Sequence, residues 1–392
     1  MNKLSETHHP KIAVIHPRLV VGGGSESKAL WMLETLKDDY EVFLITMGKI
    51  DLNQLNECYG TNLKPDEFKI ISIPIPYLLR KRFDALRGYR LARFCKQHAS
   101  EFDLMISTYN TMDFGKRGIQ CIADFSFDDR LRRAFHPSLK GLNSLFYRAS
   151  PARSIYLKLA NILAGDSKDG WKRNLTIVNS EWTGKIIKEA YGMDSRLIYP
   201  PVASEFPIIP WNRKENGFVC IGRLVPEKKI DRHIKILGEA RKKGWDIHLH
   251  IIGESGNLEY INELRGLCKR NSDWVFMEGG IFGRRKLEFI AQHKFGINGC
   301  EKEAFGIGVA EMIKAGCIVW VPNGGGQVEI VKHPTLIYND VDDAVNKIEQ
   351  VLKSNTTQIE LREHLTMQSQ KFSTERFTTE MRDVVQQFLK EK

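Results

Sequence analysis

Residues 300–329, CEKEAFGIGVAEMIKAGCIVWVPNGGGQVE, constrain the fold more tightly than any other stretch of this chain. The spacing predicts a helix from near Ile307 to Ala315, with Val309, Met312 and Ile313 on its apolar face. Gly316 stands where a left-handed helix stop belongs. An apolar strand over Cys317 to Val321 follows, then the glycine loop Gly324-Gly325-Gly326 and Glu329. Phe305-Gly306-Ile307-Gly308 precedes the helix, and glycines there let backbone approach a ligand closely. A glycine loop running into a helix offers unpaired N–H groups and a positive dipole end to an anion, most often a phosphate. Glu303 lies in the loop and Glu311 in the helix, seven residues between them. Carboxylates on both sides of a phosphate cradle suit a ligand with hydroxyls at either end, such as a nucleotide-sugar. The plain alternative is a tight turn followed by ordinary dipole complementation.

At 392 residues the chain has room for two domains. Seven scattered cysteines, never spaced as CxxC, argue for reduced thiols in a cytosolic setting and against a disulfide framework or a zinc site. The start, MNKLSETHHP, has no apolar core of a signal peptide, and no apolar run reaches the roughly 18 residues of a membrane span. The net charge of +10 is concentrated. Arg80, Lys81, Arg82, Arg87, Arg90, Arg93 and Lys96 alternate with Leu78, Leu79, Phe83, Leu86, Tyr89, Leu91 and Phe94. A basic amphipathic helix of this kind is either a solvated face or a surface for an anionic membrane. No nucleic-acid-binding signature accompanies the charge.

Along the chain, apolar segments alternate with helical ones. Strands are expected at Lys11–His16, Glu41–Thr46, Phe68–Ile73, Leu104–Ser107, Ile119–Ala123 and Leu175–Val178. Gly22-Gly23-Gly24 follows the first, and Ser25 is expected to cap the next helix. The pattern is not GxGxxG and no acidic residue closes the second strand, which excludes a dehydrogenase. Asp124 ends the fifth strand, where it can bond a ligand hydroxyl or cap the next turn. Residues 134–172, with Phe135, Leu142, Phe146, Tyr147, Ile155, Tyr156 and Leu159, read as an amphipathic helical insertion, its apolar face core or lipid-facing. Ser180 is expected to cap a helix, and residues 203–216 form the best linker. Beyond it lie strands at Gly217–Ile221, His248–Ile252 and Val275–Met277. Arg223 and Lys228 follow the first of these and can converge on one anion, an Arg fork and a Lys point charge suiting a diphosphate. Phe377, Met381, Val384, Val385 and Phe388 recur at helical spacing behind Ser373 or Thr374. Asp340-Val341-Asp342 lies outside any metal–diphosphate context and reads as surface.

Together, Glu-Ala-Phe-Gly-Ile-Gly-Val-Ala-Glu-Met, the Gly-Arg-Leu element with Lys228, Asn179-Ser180 and Tyr199-Pro200-Pro201-Val202 resemble the retaining glycosyltransferases of family four, glycosyl transferases group 1. The resemblance is strong over 217–330 and loose over 50–170. It implies an α/β GT-B fold: two doubly wound Rossmann-like domains facing across a cleft, with the last helix returning to the first domain. Residues 1–205 with 373–392 would form the acceptor domain, and 206–372 the nucleotide-sugar domain. It implies hexosyl transfer from a nucleotide-sugar to a glycan or lipid-linked glycan in polysaccharide biosynthesis, peripheral at a cytoplasmic membrane face. No metal or other cofactor would be needed. Donor contacts would come from Gly23, Gly24, Arg223, Lys228, Gly253, Gly279, Glu303, Phe305, Gly306, Ile307, Gly308 and Glu311. Glu303, Arg223, Lys228 and Asp124 would serve catalysis, Asp124 standing where relatives carry a histidine. Two alternatives stay open: a silent nucleotide-sugar-binding partner subunit, and an epimerase or hydrolase of the same fold.

Overall fold

The structure is a computed structural model and describes residues 9–75, 84–135, 149–165, 167, 169–202, 205–254 and 257–391. The chain divides into two compact units. Unit 1 comprises Met1–Asn179, Gly184–Ile198 and Phe377–Lys392, and unit 2 comprises Ser180–Thr183 and Tyr199–Arg376.

Unit 1 is built on β1 (Lys11–Ile15), β2 (Glu41–Met47), β3 (Lys69–Ile73), β4 (Leu104–Ser107), β5 (Ile119–Ile122), β6 (Leu175–Val178) and β7 (Arg196–Leu197). They form one sheet in the order β3-β2-β1-β4-β5-β6-β7. All its pairings are parallel. The central strands are largely apolar because helices cover both faces, and Ile12 to Ile15 are fully buried. The last helix, Thr374–Lys390, belongs largely to this unit. Its Phe377, Met381, Val384, Val385 and Phe388 join the core formed by β1 and the helix Gly24–Leu36. Arg382 fastens it by donating to the Thr35 carbonyl at 3.1 Å and pairing with Asp39 at 3.1 Å.

Unit 2 carries β8 (Glu215–Ile221), β9 (His248–Ile252), β10 (Val275–Gly279), β11 (His293–Ile297), β12 (Ile318–Pro322) and β13 (Ile337–Tyr338). Their order is β10-β9-β8-β11-β12-β13. These pairings are parallel as well. Phe218, Phe295 and Trp320 pack ring to ring at 5.0–5.9 Å across three strands of this sheet. In each unit the strand order reverses once, between β1 and β4 and between β8 and β11. Ligands of open α/β sheets lie at the carboxyl ends of strands beside such a reversal.

Local expectations differ from the structure in a few places. Ser25 is not a cap: the helix begins at Gly24 with Gly23 as its N-cap, and the Ser25 hydroxyl donates to Glu26 instead. Ser180 does cap its helix, accepting from the Thr183 N–H at 3.0 Å. The 134–172 segment contains the helix Pro151–Ala164, preceded by a short helix over Asp129–Phe135. The basic segment is helical over Asp84–Gln97. Its residues 78–83, and Leu142, Phe146 and Tyr147, lie outside the described residues. Asp340 caps the helix Val341–Leu352, as a surface residue would. None of the seven cysteines is in a disulfide.

Candidate active site

In unit 2 the turns after β8, β9 and β10 are laced together by backbone. Gly222 donates to Ile252, Leu224 to Glu254 and Gly253 to Gly279, at 2.8–3.1 Å. Gly222 (φ 147°) and Gly253 (φ 154°) have backbones that a side chain would strain. A Cβ on Gly253 would also collide with the Gly222 carbonyl. Gly253 therefore serves close packing of two turns. Gly279 differs, having φ 73° and nothing within 4 Å of where its Cβ would stand. Backbone is accessible there.

The turn after β8 ends in a short 3-10 segment, Pro226–Lys228, which aims Lys228 at the loop after β11. There its ammonium pairs with the Glu303 carboxylate. Burial works against the Lys228 charge, but Glu303 outweighs it and raises the ammonium above its ordinary value. Arg223, on the same turn, is exposed, and its guanidinium makes no hydrogen bond or ion pair among the described residues. The two cations thus differ, one held by a carboxylate and one available to a ligand.

The helix Ile307–Lys314 starts from Gly306, whose φ of 108° only glycine adopts readily. The N–H groups of Ile307 and Gly308 find no protein acceptor among the described residues, while those of Val309 and Ala310 return to the Gly306 carbonyl. This is the open helix start that an anion can complete. Gly308 has a second duty: a Cβ there would stand 3.0 Å from the Ile221 carbonyl, so its absence lets the helix press on β8. Phe305 is buried against Tyr199 and Phe372, fixing the loop from inside. Glu311 is paired at 2.6 Å with Lys286, from the helix Gly283–Ala291.

The Gly324–Gly326 loop works from behind. Gly326 donates to the Glu303 carbonyl at 2.8 Å, and a Cβ on Gly325 would stand 2.5 Å from that oxygen. These glycines let one loop lie against another and so set the height of Glu303. Glu329 accepts from the N–H groups of Glu181 and Trp182 at 2.9 and 2.8 Å and from Tyr199 at 3.2 Å. It is a structural cap, its carboxyl raised by burial.

Unit 1 has its own cluster at the carboxyl ends of β1, β4 and β5. Gly23 and Gly24 open the helix Gly24–Leu36, and the space a Cβ on Gly23 would need is filled by the Glu26 carboxylate. Asp124 accepts from Asn110 and the Ser126 N–H at 2.8 Å each, and from Tyr109 at 3.3 Å. It thus closes the turn after β5, whatever it does with a ligand. Asn110, in the left-handed region at φ 62°, answers by accepting from the N–H groups of Ala123 and Asp124.

Two site residues escaped the sequence reading. Lys286 sits in Gly-Arg-Arg-Lys, where three adjacent cations hide the one that turns inward. Lys28 is 6% exposed, its ammonium makes no hydrogen bond or ion pair among the described residues, and burial lowers it from the usual value. Its signal was a lysine four residues before Met32 on an otherwise apolar helix face.

Two parallel Rossmann-like sheets, each with one reversal of strand order, define the GT-B fold. Residues 202–372 match the family model described as glycosyl transferases group 1. The chain carries this match over less than half of its length, within unit 2. It is 24% identical over 251 residues to a GDP-Man:Man(3)GlcNAc(2)-PP-Dol alpha-1,2-mannosyltransferase of Dictyostelium discoideum, covering 58% of this chain and 48% of the relative. The match therefore spans about half of that relative's length. In fold it is similar to a sucrose-phosphate synthase of Thermosynechococcus elongatus, with TM-score 0.70, 16% identity and coverage of 98% and 100% of the two chains. It is likewise similar to HepE of Anabaena, solved in complex with UDP and glucose, with TM-score 0.66, 15% identity and coverage of 97% and 100%.

Proposed function

We propose that this chain transfers a hexosyl group, with retention, from a nucleoside diphosphate-sugar to a lipid-linked glycan at an anionic membrane surface. The observation that supports the reading is the pairing of Lys228, on the turn after β8, with Glu303 beside the open helix start at Ile307 and Gly308. As the glycosidic bond breaks, the nucleoside diphosphate leaves with its electron pair and gathers negative charge. Arg223, Lys228 and the open helix start stabilise that charge through preorganised dipoles and cations. Glu303 holds sugar hydroxyls and Glu311 the ribose hydroxyls. A phosphate oxygen of the donor receives the acceptor's proton as the new bond forms on the same face.

A lipid-linked acceptor is supported by the Dictyostelium relative, whose name carries a PP-Dol glycan. The unit 1 surface supports it too. On the helix Pro151–Ala164, Ile155, Leu159, Ile162 and Leu163 are 54–74% exposed. This helix packs beside the basic helix Asp84–Gln97, to which Arg93 and Lys96 bind it through the carbonyls of Leu163 and Gly165. Among the described residues no helix is long and apolar enough to cross a membrane.

A second reading, a silent donor-binding subunit, is favoured by one observation: Asp124 is engaged with Asn110 and Ser126. Thermal melting with a panel of UDP- and GDP-sugars, beside a transfer assay on polyprenyl diphosphate-linked glycans, separates the two. A stabilising donor that is also turned over supports transfer. Stabilisation without turnover of any acceptor supports the silent subunit, and no stabilisation by any nucleotide-sugar overturns both.

A further inference from the structure

Far from the nucleotide turns, at the amino-terminal ends of the unit 2 strands, a second cluster has no part in the chemistry above. Glu215 begins β8, His248 begins β9 with His250 two residues on, and His293 begins β11. The strands β9, β8 and β11 are neighbours, with Gly217 opposite His248 and His293 opposite Glu215. Residues two apart on a strand share a face, so the pleat brings all four side chains to one side of the sheet. One ligand atom from each lies within 4.8 Å of the others.

The details are those of a prepared metal centre. The Nε2 atoms of His248 and His293 are buried and find no hydrogen-bond partner among the described residues. They stand 3.4 and 3.8 Å from the Glu215 carboxylate. Buried polar atoms normally find partners, so two orphans facing one carboxylate call for an explanation. The remote nitrogens are engaged. His293 Nδ1 lies 2.7 Å from the Phe289 carbonyl, and His250 Nδ1 lies 2.7 Å from Glu278. A backbone carbonyl or carboxylate behind the imidazole, present at these two of the three histidines, is the arrangement that fixes the tautomer and ring of metal-bound histidines. Gly217 completes the cradle, since a Cβ there would collide with the rings of His248 and His293.

We propose that Glu215, His248, His250 and His293 bind one zinc ion that ties β8, β9 and β11 together. Three imidazoles and one carboxylate match zinc's preference for nitrogen and oxygen donors in a closed tetrahedral, structural site. With bonds of about 2.0–2.1 Å, the donors of such a site lie about 3.3 Å apart. The Glu215–His248 spacing of 3.4 Å meets that already, and small rotations of the other side chains bring in the rest. The lack of a CxxC pattern has no bearing here, because the ligands come from three strands spread over the sequence. The ion lies at the strand ends opposite Arg223 and Lys228 and serves stability, not sugar transfer.

The test uses the full chain without an affinity tag, stripped with chelator and titrated with zinc alone and with cobalt(II) as a spectroscopic stand-in. One zinc per chain is expected, with a raised melting temperature and the intense visible absorption of four-coordinate cobalt. His248→Gln and His293→Gln should each lose the cobalt spectrum and the thermal shift. Glu278→Gln should keep the stoichiometry but bind zinc about 10- to 100-fold more weakly. If His293→Gln does not fold, His248→Gln decides, because that side chain is a quarter exposed and its loss is tolerable. Less than stoichiometric zinc in the wild-type chain, or an unchanged cobalt spectrum in the His248 variant, overturns the proposal.

Discussion

Lys228 and Glu303, from turns 75 residues apart in sequence, form an ion pair beside the open start of the helix Ile307–Lys314. The pair changes how each residue is understood. Lys228 is charged before any phosphate arrives, and Glu303 is held at a fixed height by its partner and by the glycine loop behind it. Arg223, without such a partner, is the more adaptable cation.

The first prediction concerns these two cations. Arg223→Ala and Lys228→Ala should each weaken nucleoside diphosphate binding by roughly 2–5 kcal/mol while barely changing nucleoside binding. Lys228→Ala should also lower turnover beyond its effect on binding, because Glu303 loses its anchor. Calorimetry with both ligands checks this, and equal losses for nucleoside and nucleoside diphosphate would contradict the diphosphate assignment.

A second prediction isolates the glycine loop. Gly325→Ala adds a Cβ 2.5 Å from the Glu303 carbonyl at a residue with φ 73°. Gly192→Ala imposes a similar φ, 69°, where nothing lies within 4 Å. The control should lose about 1 kcal/mol from backbone strain alone. Gly325→Ala should lose roughly 1–3 kcal/mol more from overpacking and cut transfer as Glu303 shifts. Urea denaturation of both variants, with an activity assay, reads the difference.

The membrane surface supplies a third. Replacing Ile155, Leu159 and Ile162 with serine should weaken binding to anionic vesicles without lowering donor affinity, since the side chains are exposed. Wild-type binding should fall with added salt, as attraction of about 1 kcal/mol per basic residue is screened. Flotation that ignores both lipid charge and the triple substitution would favour a soluble acceptor.

Acid stability tests the packing of unit 1. Asp113 is buried and meets Lys96 at 2.9 Å and Arg173 at 3.1 Å. Burial pushes its carboxyl up, but the Lys96 and Gly115 donors outweigh it and hold it below its ordinary 3.8. A depressed native value means the stabilisation is whole above the unfolded value and is lost as pH falls through the native one. Asp113→Asn should therefore cost about 3 kcal/mol at neutral pH and make the acid side of the stability curve shallower. Denaturation midpoints across pH 2–7, a range that brackets these carboxyl values, check the sign.

Most of the strand framework was legible because parallel strands covered on both faces are written as short apolar runs. Ile318–Pro322, buried along its whole length, shows this well. The site was legible where glycine and charge share one loop, as at Glu303 to Gly308. It was illegible where partners meet only through folding. Lys286 finds Glu311 across 25 residues, and Glu329 caps a helix start 148 residues earlier. Ser25 misled because a hydroxyl before a helix suggests a cap, whereas Gly23 at that position leaves room for Glu26 to fold back. The histidines at the strand starts carried no spacing signal, since three strands in register assemble them.

The central claim is that Glu303 acts on the sugar and Glu311 on the nucleoside, and one paired titration tests it. Glu303→Gln and Glu311→Gln are each titrated with bare nucleoside diphosphate and with intact donor, beside a transfer assay. Glu303→Gln should leave bare nucleotide affinity nearly unchanged and lower turnover by about 10²-fold or more, as expected for a preorganised charge that acts on the transition state. Glu311→Gln should weaken both ligands alike, because a buried acceptor for ribose hydroxyls is lost and Lys286 is left without its partner. Loss of bare nucleotide affinity in Glu303→Gln as large as that in Glu311→Gln would contradict the division of labour and the orientation of the donor.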